Sequence, residues 1–263
     1  MNGGAFGKGR NLHGTLDLWL HRNSPHSPYF CCKMKRHAGR YRSPFHLPKK
    51  PKAEKVSTLF LPNSGRTYIA FNKPYNVVSQ FTPPHDGAQT LAEFGFPPDV
   101  YPVGRLDQDS EGLLLLTNDA TLNQALLHPS RHHTKSYLVQ VEGIPDDEAL
   151  RQLAEGVVVQ GKRTLPATAC RIEPPAIEHR AVRYRATIPT SWMRLTITEG
   201  RNRQVRRLTA AVGHPTLRLF RESIGKLSLQ HLQLPAGQWR NLTTEELEKL
   251  IAAPIESGLI KGL

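Results

Sequence analysis

The sequence predicts an α+β fold preceded by a basic arm, and three observations lead there. Strand-like patterns outnumber helical ones. They do not alternate in the regular strand–helix–strand order of a doubly wound sheet. The first quarter of the chain shows no lasting apolar period of 2 or 3.6. With 263 residues, 38% of them hydrophobic, the chain is long enough to bury a sizeable core.

Each element has a local reason. Residues 67–71 pattern as a short strand, stopped at Asn72-Lys73-Pro74 by the proline. Residues 90–94 suit a short helix, and 99–105 a loop rich in Pro and Gly. The apolar run 112–116 is a strand that ends in the turn Thr117-Asn118-Asp119, and 120–128 is a helix closed by Pro129. Residues 135–142 alternate, with Tyr137, Val139 and Val141 on one face of a strand. A helix over 146–155 follows, then strands over 157–159, 167–172, 183–188 and 195–198. Residues 202–212 form a helix closed by Gly213, with Val205, Leu208 and Val212 as its buried stripe. Strands at 218–220 and 227–229 finish the sheet, and 243–251 is a terminal helix with Thr243 as N-cap and Glu246 completing a capping box.

Composition narrows the function. No apolar run approaches the ~20 residues of a membrane span, and the stretch around Leu16 and Leu20 is broken by Asp17 and followed by His21 and Arg22, unlike a signal peptide. Three cysteines, two of them adjacent, cannot build a disulfide framework, so a soluble protein of a reducing compartment is expected. The net charge of +13 points to a polyanionic partner. Residues 1–66 hold 13 Lys/Arg against 2 acids, whereas the remaining 197 residues carry 22 against 20. This first segment is expected to be disordered. It acts either as a non-specific RNA-contacting arm or as a solubilising tail, and Met34 is a candidate translation start.

Three constellations can carry chemistry. Ahead of the apolar strand, Gly104-Arg105-Leu106-Asp107-Gln108-Asp109-Ser110-Glu111-Gly112 sets three acids at a spacing of two in a glycine-bracketed loop. They cap the strand, supply a catalytic carboxylate, or share a divalent cation. Further on, Arg201, Arg203, Arg206 and Arg207 crowd the start of a helix with no acid among them. Cations there oppose the helix dipole, so an anion must lie close by, a phosphate or a carboxylate. The third is Lys135-Ser136-Tyr137 at the head of a strand, where a tyrosine is ordinarily core but can also stack on an extruded base. His132 and His133 lack metal-ligand spacing and are expected at phosphate or solvent. No phosphate-binding loop or dinucleotide fingerprint occurs.

In order, Asn72-Lys73-Pro74, the Gly104 to Asp119 stretch, Lys135-Ser136-Tyr137 and Gly200-Arg201-Asn202-Arg203-Gln204-Val205-Arg206-Arg207 resemble the RsuA-type pseudouridine synthases over about residues 67–242. Within that family, Ile188-Pro189-Thr190-Ser191-Trp192, the Arg201-Asn202-Arg203 variant and residues 209–218 look closest to the large-ribosomal-subunit branch. The resemblance implies a pseudouridine synthase fold, with two lobes around a mixed, mainly antiparallel sheet and a catalytic cleft. It implies that Asp107 is the nucleophile, that Tyr137 packs on the flipped base, and that Arg206 pairs with Asp107 and keeps it charged. Arg105 would help displace the base, and Lys73, Lys135, Arg201, Arg203 and Arg207 would contact RNA. Asp109 and Glu111 then become loop-shaping residues, and neither metal nor cofactor is implied. Leu208 stands where the family usually has methionine, a volume-conserving core swap. Many relatives carry an N-terminal S4 RNA-binding domain, whose helical pattern residues 1–66 do not show.

The expectation is thus an isomerase acting on a uridine of 23S rRNA, free or in a precursor of the large ribosomal subunit. It is expected to be cytoplasmic, monomeric and away from membranes, with an arm at 1–66, a catalytic domain at 67–253 and a tail at 254–263. Its rivals are a non-catalytic rRNA-binding or assembly factor and a metal-dependent nuclease built on Asp107, Asp109 and Glu111.

Overall fold

The computed structural model describes residues 65–128 and 132–251. The expected arm, save Gly65 and Arg66, the start at Met34 and the tail at 254–263 lie outside the described residues. An uninterrupted apolar run such as Leu113-Leu114-Leu115-Leu116 makes a strand that must be covered on both faces. Strand β1 (Tyr68–Lys73) and β3 (Glu111–Thr117) are accordingly buried along their whole length. The short β2 (Tyr101–Pro102) pairs with β3, within the segment expected as loop. After β3, Asp119 caps α1 (Ala120–Leu127) by accepting from the Thr121 amide at 2.9 Å, and it also takes the Tyr68 hydroxyl at 2.8 Å.

Then follow β4 (Lys135–Glu142), α2 (Asp147–Glu155), the two-stranded hairpin β5 (Val158–Val159) and β6 (Lys162–Arg163), and β7 (Thr168–Ile172). Next come β8 (Thr190–Ile197), α3 (Gln204–Ala211), β9 (Thr216–Ile224), β10 (Leu227–Ser228), α4 (Leu229–Leu232), β11 (Trp239–Asn241) and α5 (Thr244–Ile251). The strands expected over 183–188 and 195–198 are replaced by the single strand β8, whose Met193, Leu195 and Ile197 point into the core. Residues 183–188 stay irregular and largely exposed. Leu229 opens a helical turn instead of ending a strand, because the Ser228 hydroxyl caps it by accepting from the His231 amide. At α5 the expected box is present: the Thr243 amide bonds Glu246 at 3.0 Å and the Glu246 amide bonds the Thr243 hydroxyl at 3.3 Å.

The main sheet runs β11-β1-β3-β9-β4-β8-β7, with β2 and β10 paired at its side. Every strand pairing in it is antiparallel except β3 with β9, so it is mixed and mainly antiparallel as expected. Two cores form on its faces. One joins Tyr137, Val139 and Val141 to Leu150 and Leu153 of α2 and to Val205 and Leu208 of α3. The other joins Leu113 and Leu115 to Leu122 and Leu126 of α1 and to Leu247 and Leu250 of α5. Leu208 is fully buried, so its place in the core is filled.

The β3–β9 seam is short, setting only Glu111 opposite Phe220 and Gly112 opposite Arg221. Side chains strengthen it. Glu111 and Arg218 are both buried and form a two-pronged ion pair, Arg218 Nε to Oε2 at 2.9 Å and Nη2 to Oε1 at 2.8 Å. Arg180 adds a third bond to Oε2 at 3.0 Å, and Arg221 Nε donates to the Leu113 carbonyl at 2.7 Å. At Gly112 φ is +101°, and a Cβ there would lie 2.4 Å from the Arg221 carbonyl oxygen. Only glycine lets these backbones approach so closely. Gly112→Ala is therefore expected to lower the unfolding free energy by at least the ~1–3 kcal/mol of the backbone strain, read as a fall in the urea midpoint. An unchanged midpoint would contradict the close approach.

Candidate active site

The loop ahead of β3 is pinned from beneath. The Ser110 amide bonds the Asp107 carbonyl at 3.0 Å and closes a turn over 107–110. The Ser79 hydroxyl donates to the Leu106 carbonyl at 2.7 Å and accepts from the Leu106 amide at 3.1 Å. The Asn76 amide bonds the Gln108 carbonyl at 2.9 Å. Lys73 serves the same purpose. It is 0% exposed, and its Nζ donates to the carbonyls of Val77 at 2.6 Å, Pro74 at 2.9 Å and Gln108 at 3.5 Å. The RNA contact expected of Lys73 is thereby corrected, since the ammonium is enclosed and bound to backbone. Burial drives its pKa down to about 7, against the opposing pull of Glu111, Asp109 and Asp107.

The anion that the crowded arginines require is Asp109. Arg203 grips it with two bonds, Nη1 to Oδ1 at 3.1 Å and Nη2 to Oδ2 at 2.8 Å. Arg206 Nη2 lies 3.2 Å from Oδ2 and donates to the Asp109 carbonyl at 2.7 Å. Burial works to raise the Asp109 pKa, but the bonds from Arg203 and the charge of Arg206 outweigh it and hold it below the ordinary value. The expected Arg206–Asp107 pair is thus replaced by Arg206–Asp109, and it is Arg203 Nη1 that approaches Asp107 Oδ2, at 3.5 Å. Arg203 occupies the N-cap of α3 at φ 49°, a left-handed conformation uncommon for a residue with a Cβ. Its salt bridge offsets that strain.

Asp107 opens into a cavity of roughly 760 Å³ shared with Arg105, Lys135, Tyr137, Arg201, Arg203 and Arg221. Val78, Val103, Leu106, Leu126, Ile197 and Leu219 supply an apolar wall. Tyr137 is buried on β4, and burial with the nearby charge of Arg221 brings the Lys135 pKa down to about 8. Arg105 is exposed at the rim and donates to Gln80 Oε1 at 3.3 Å. Arg206 lies behind the lining residues, and Arg207 turns aside to bond Gln160 Oε1 at 2.6 Å and Asn202 Oδ1 at 3.0 Å. His133, expected near phosphate or solvent, is buried instead.

Arg221 is the functional candidate that sequence reasoning overlooks. It is buried, its Nε is spent on Leu113, and its Nη2 has no hydrogen-bond partner. The available signal was an arginine inside the apolar strand pattern Leu217-Arg218-Leu219-Phe220-Arg221. The metal-nuclease alternative loses its ligands, because Asp109 is held by Arg203 and Arg206 and Glu111 by Arg218 and Arg180. Among the described residues, no three metal-ligating side chains gather.

A lone carboxylate facing a tyrosine across an apolar-walled, cation-rimmed cavity suits chemistry on a nucleotide base. The family model described as RNA pseudouridylate synthase matches residues 67–211, the span from β1 through α3. The chain belongs to that family of isomerases. Ribosomal large subunit pseudouridine synthase E of Vibrio parahaemolyticus is 50% identical over 179 residues, covering 67% of this chain and 74% of the relative. The synthase E of Xanthomonas campestris is 53% identical over 179 residues, covering 65% of this chain and 93% of the relative. A crystal structure of a pseudouridylate synthase superposes with a TM-score of 0.57 at 31% identity, over 70% of this chain and 74% of that one. The family and fold implied by the motifs are borne out.

The lysine under the loop gives a pH test. Below pH 7 both the folded and the unfolded chain hold the Lys73 proton, and the full cost of burying its charge stands. Between pH 7 and the unfolded value of about 10.4, only the unfolded state keeps the proton, so this contribution to stability rises with pH. The wild-type minus Lys73→Met difference in unfolding free energy is expected to increase from pH 7 to 9.5 in urea titrations. A difference independent of pH would show that Lys73 does not titrate there.

Proposed function

We propose that this enzyme isomerises a specific uridine of 23S rRNA, in free RNA or in a precursor of the large ribosomal subunit, with Asp107 as nucleophile and the target nucleotide flipped into the cavity. The observation that carries the reading is that Asp107 and Tyr137 line one apolar-walled cavity with a cationic rim. The large-ribosomal-subunit names of the relatives support the choice of RNA. Among the described residues no helix is long and apolar enough to cross a membrane. A cytoplasmic monomer without a cofactor completes the reading, with a basic arm over 1–66, a catalytic domain over 67–253 and a tail over 254–263.

The net reaction breaks the N1–C1′ bond, turns the base and joins C5 to C1′. The C5 proton leaves to solvent and N1 gains one, so atoms and electrons balance with no co-reactant. Attack at C1′, addition at C6 and a glycal route all begin from the same carboxylate. Extruding the base costs about a few kcal/mol. Stacking on Tyr137, insertion of Arg105 where the base was, and phosphate contacts from Lys135, Arg201 and Arg203 offset that cost, whereas Arg207 is spent on Gln160 and Asn202. The Tyr137 hydroxyl relays the C5 proton, taking it up as its own proton passes to solvent. Arg206 is a positioning residue that acts through Asp109, since its guanidinium holds both the carboxylate and the carbonyl there.

Tritium release from large-subunit rRNA labelled at uridine C5 tests the assignment. The wild type is expected to release tritium and Asp107→Ala to release none while still binding RNA. Binding without release by the wild type, on free rRNA and on precursor particles alike, would make the protein a binding factor. Asp109→Asn is expected to lower kcat by about 10²-fold, the scale of an ångström-sized displacement of a reacting group, with KM nearly unchanged. A wild-type kcat in this variant would remove the positioning role of the Asp109 carboxylate.

A further inference from the structure

We propose that the β5–β6 hairpin is a phosphate-binding rail that carries the RNA strand away from the cavity, a role that rests on the RNA reading above. From Gly156 to Cys170 the chain has Lys162 and Arg163 and no acid, whereas surface segments ordinarily mix signs; Arg171, next along on β7, is spent on Asp147 at 2.7 Å. Lys162 and Arg163 are both exposed on β6. The turn that leads into them is built for rigidity: Gln160 at φ 51° and Gly161 at φ 75° are both left-handed, as a tight two-residue hairpin requires. The Thr164 amide bonds the Val157 carbonyl at 2.9 Å and the Arg163 guanidinium bonds the Gly156 carbonyl at 2.6 Å, closing the hairpin at its base.

Two arginines at the start of α3 fasten the hairpin to the site. Arg201, which lines the cavity, donates to the Arg163 carbonyl at 3.2 Å, and Arg207 donates to Gln160 at 2.6 Å. Cavity rim and hairpin are therefore one continuous surface. Glu199, the carboxylate in this corner, is already shared by Arg201 at 3.2 Å, the Leu165 amide at 2.9 Å and Gln204. The positive charge of the hairpin is left in excess. Exposed cations on a rigid frame recognise a polyanion by its regularly spaced charge and carry no base specificity. The polyanion required at the adjoining rim is RNA, so the ligand is the phosphate backbone of the strand flanking the target.

The test uses the full chain and large-subunit rRNA, with RNA binding followed across a potassium chloride series and tritium release at saturating RNA. Lys162→Glu is expected to raise KM and Kd about 5- to 10-fold at low salt and to reduce the slope of log Kd against log salt by roughly 0.7–1, the equivalent of one phosphate contact. Its kcat stays at the wild-type value. Lys162→Arg restores both slope and KM. Lys249→Glu, the same charge change at an exposed position on α5, leaves the slope unaltered. A wild-type slope in Lys162→Glu, or an equal loss in Lys249→Glu, would overturn the rail. Absence of tritium release from the wild type would instead strike the isomerase reading, since the salt slope is measured on binding alone.

Discussion

Glu111 stands at the first position of β3, buried, and accepts from Arg218 of β9 and from Arg180 at once. The strands it joins share only two residue pairs, the one parallel step in the main sheet. A ladder so short leaves register weakly specified by backbone alone. The ion pair specifies it, because Glu111 meets Arg218 only when Gly112 lies against Arg221. Buried charge pairs often add little net stability over an apolar pair but strongly penalise any arrangement that separates them. This one holds together the strand that begins at the loop of Asp107 and the strand that follows the arginines of α3.

The spacing of Asp107, Asp109 and Glu111 invites the idea of one shared face, and in a strand that would follow. The turn over 107–110 breaks the alternation and sends the three carboxylates to different partners. Asp107 opens to the cavity, Asp109 gathers two arginines, and Glu111 closes the seam. With the neighbouring acid already satisfied by guanidinium groups, Asp107 is the loop carboxylate left lining the cavity. Lys73 completes the arrangement beneath, where its ammonium binds the Gln108 carbonyl of the loop and the Pro74 and Val77 carbonyls of the segment that follows β1.

Much of this was legible in the chain. Strand β4 matches its expected limits, and its alternation correctly assigned Tyr137, Val139 and Val141 to one face. Local signals suffice for such elements, as they do for the capped ends of α1 and α5. What escaped depended on partners far away in sequence. Arg218 and Arg221 made β9 look too polar to extend beyond a few residues, because a buried arginine is intelligible only once its carboxylate or carbonyl is known. The asparagine, lysine and proline of β1's end mark an RNA contact by resemblance, yet the lysine turns inward where three carbonyls await it. For Arg206 the motifs supplied an arginine and two acids, and only the fold could choose Asp109 over Asp107. β8 was split because Pro189 and the arginines before it masked a regular alternation that starts at Thr190.

The contacts that hold the cavity together are long in sequence: Arg203 to Asp109 spans 94 residues, and Arg218 to Glu111 spans 107. A growing polypeptide emerges from its N-terminal end and folds as units become complete. When the acids of the loop have left the ribosome, the cations that place them have not yet been made. The pocket therefore cannot exist on a nascent chain that stops short of β9. Its assembly is a late, slow-closing event of high contact order. A chain that carries the acidic loop without α3 and β9 thus presents its carboxylates without the cations that place them.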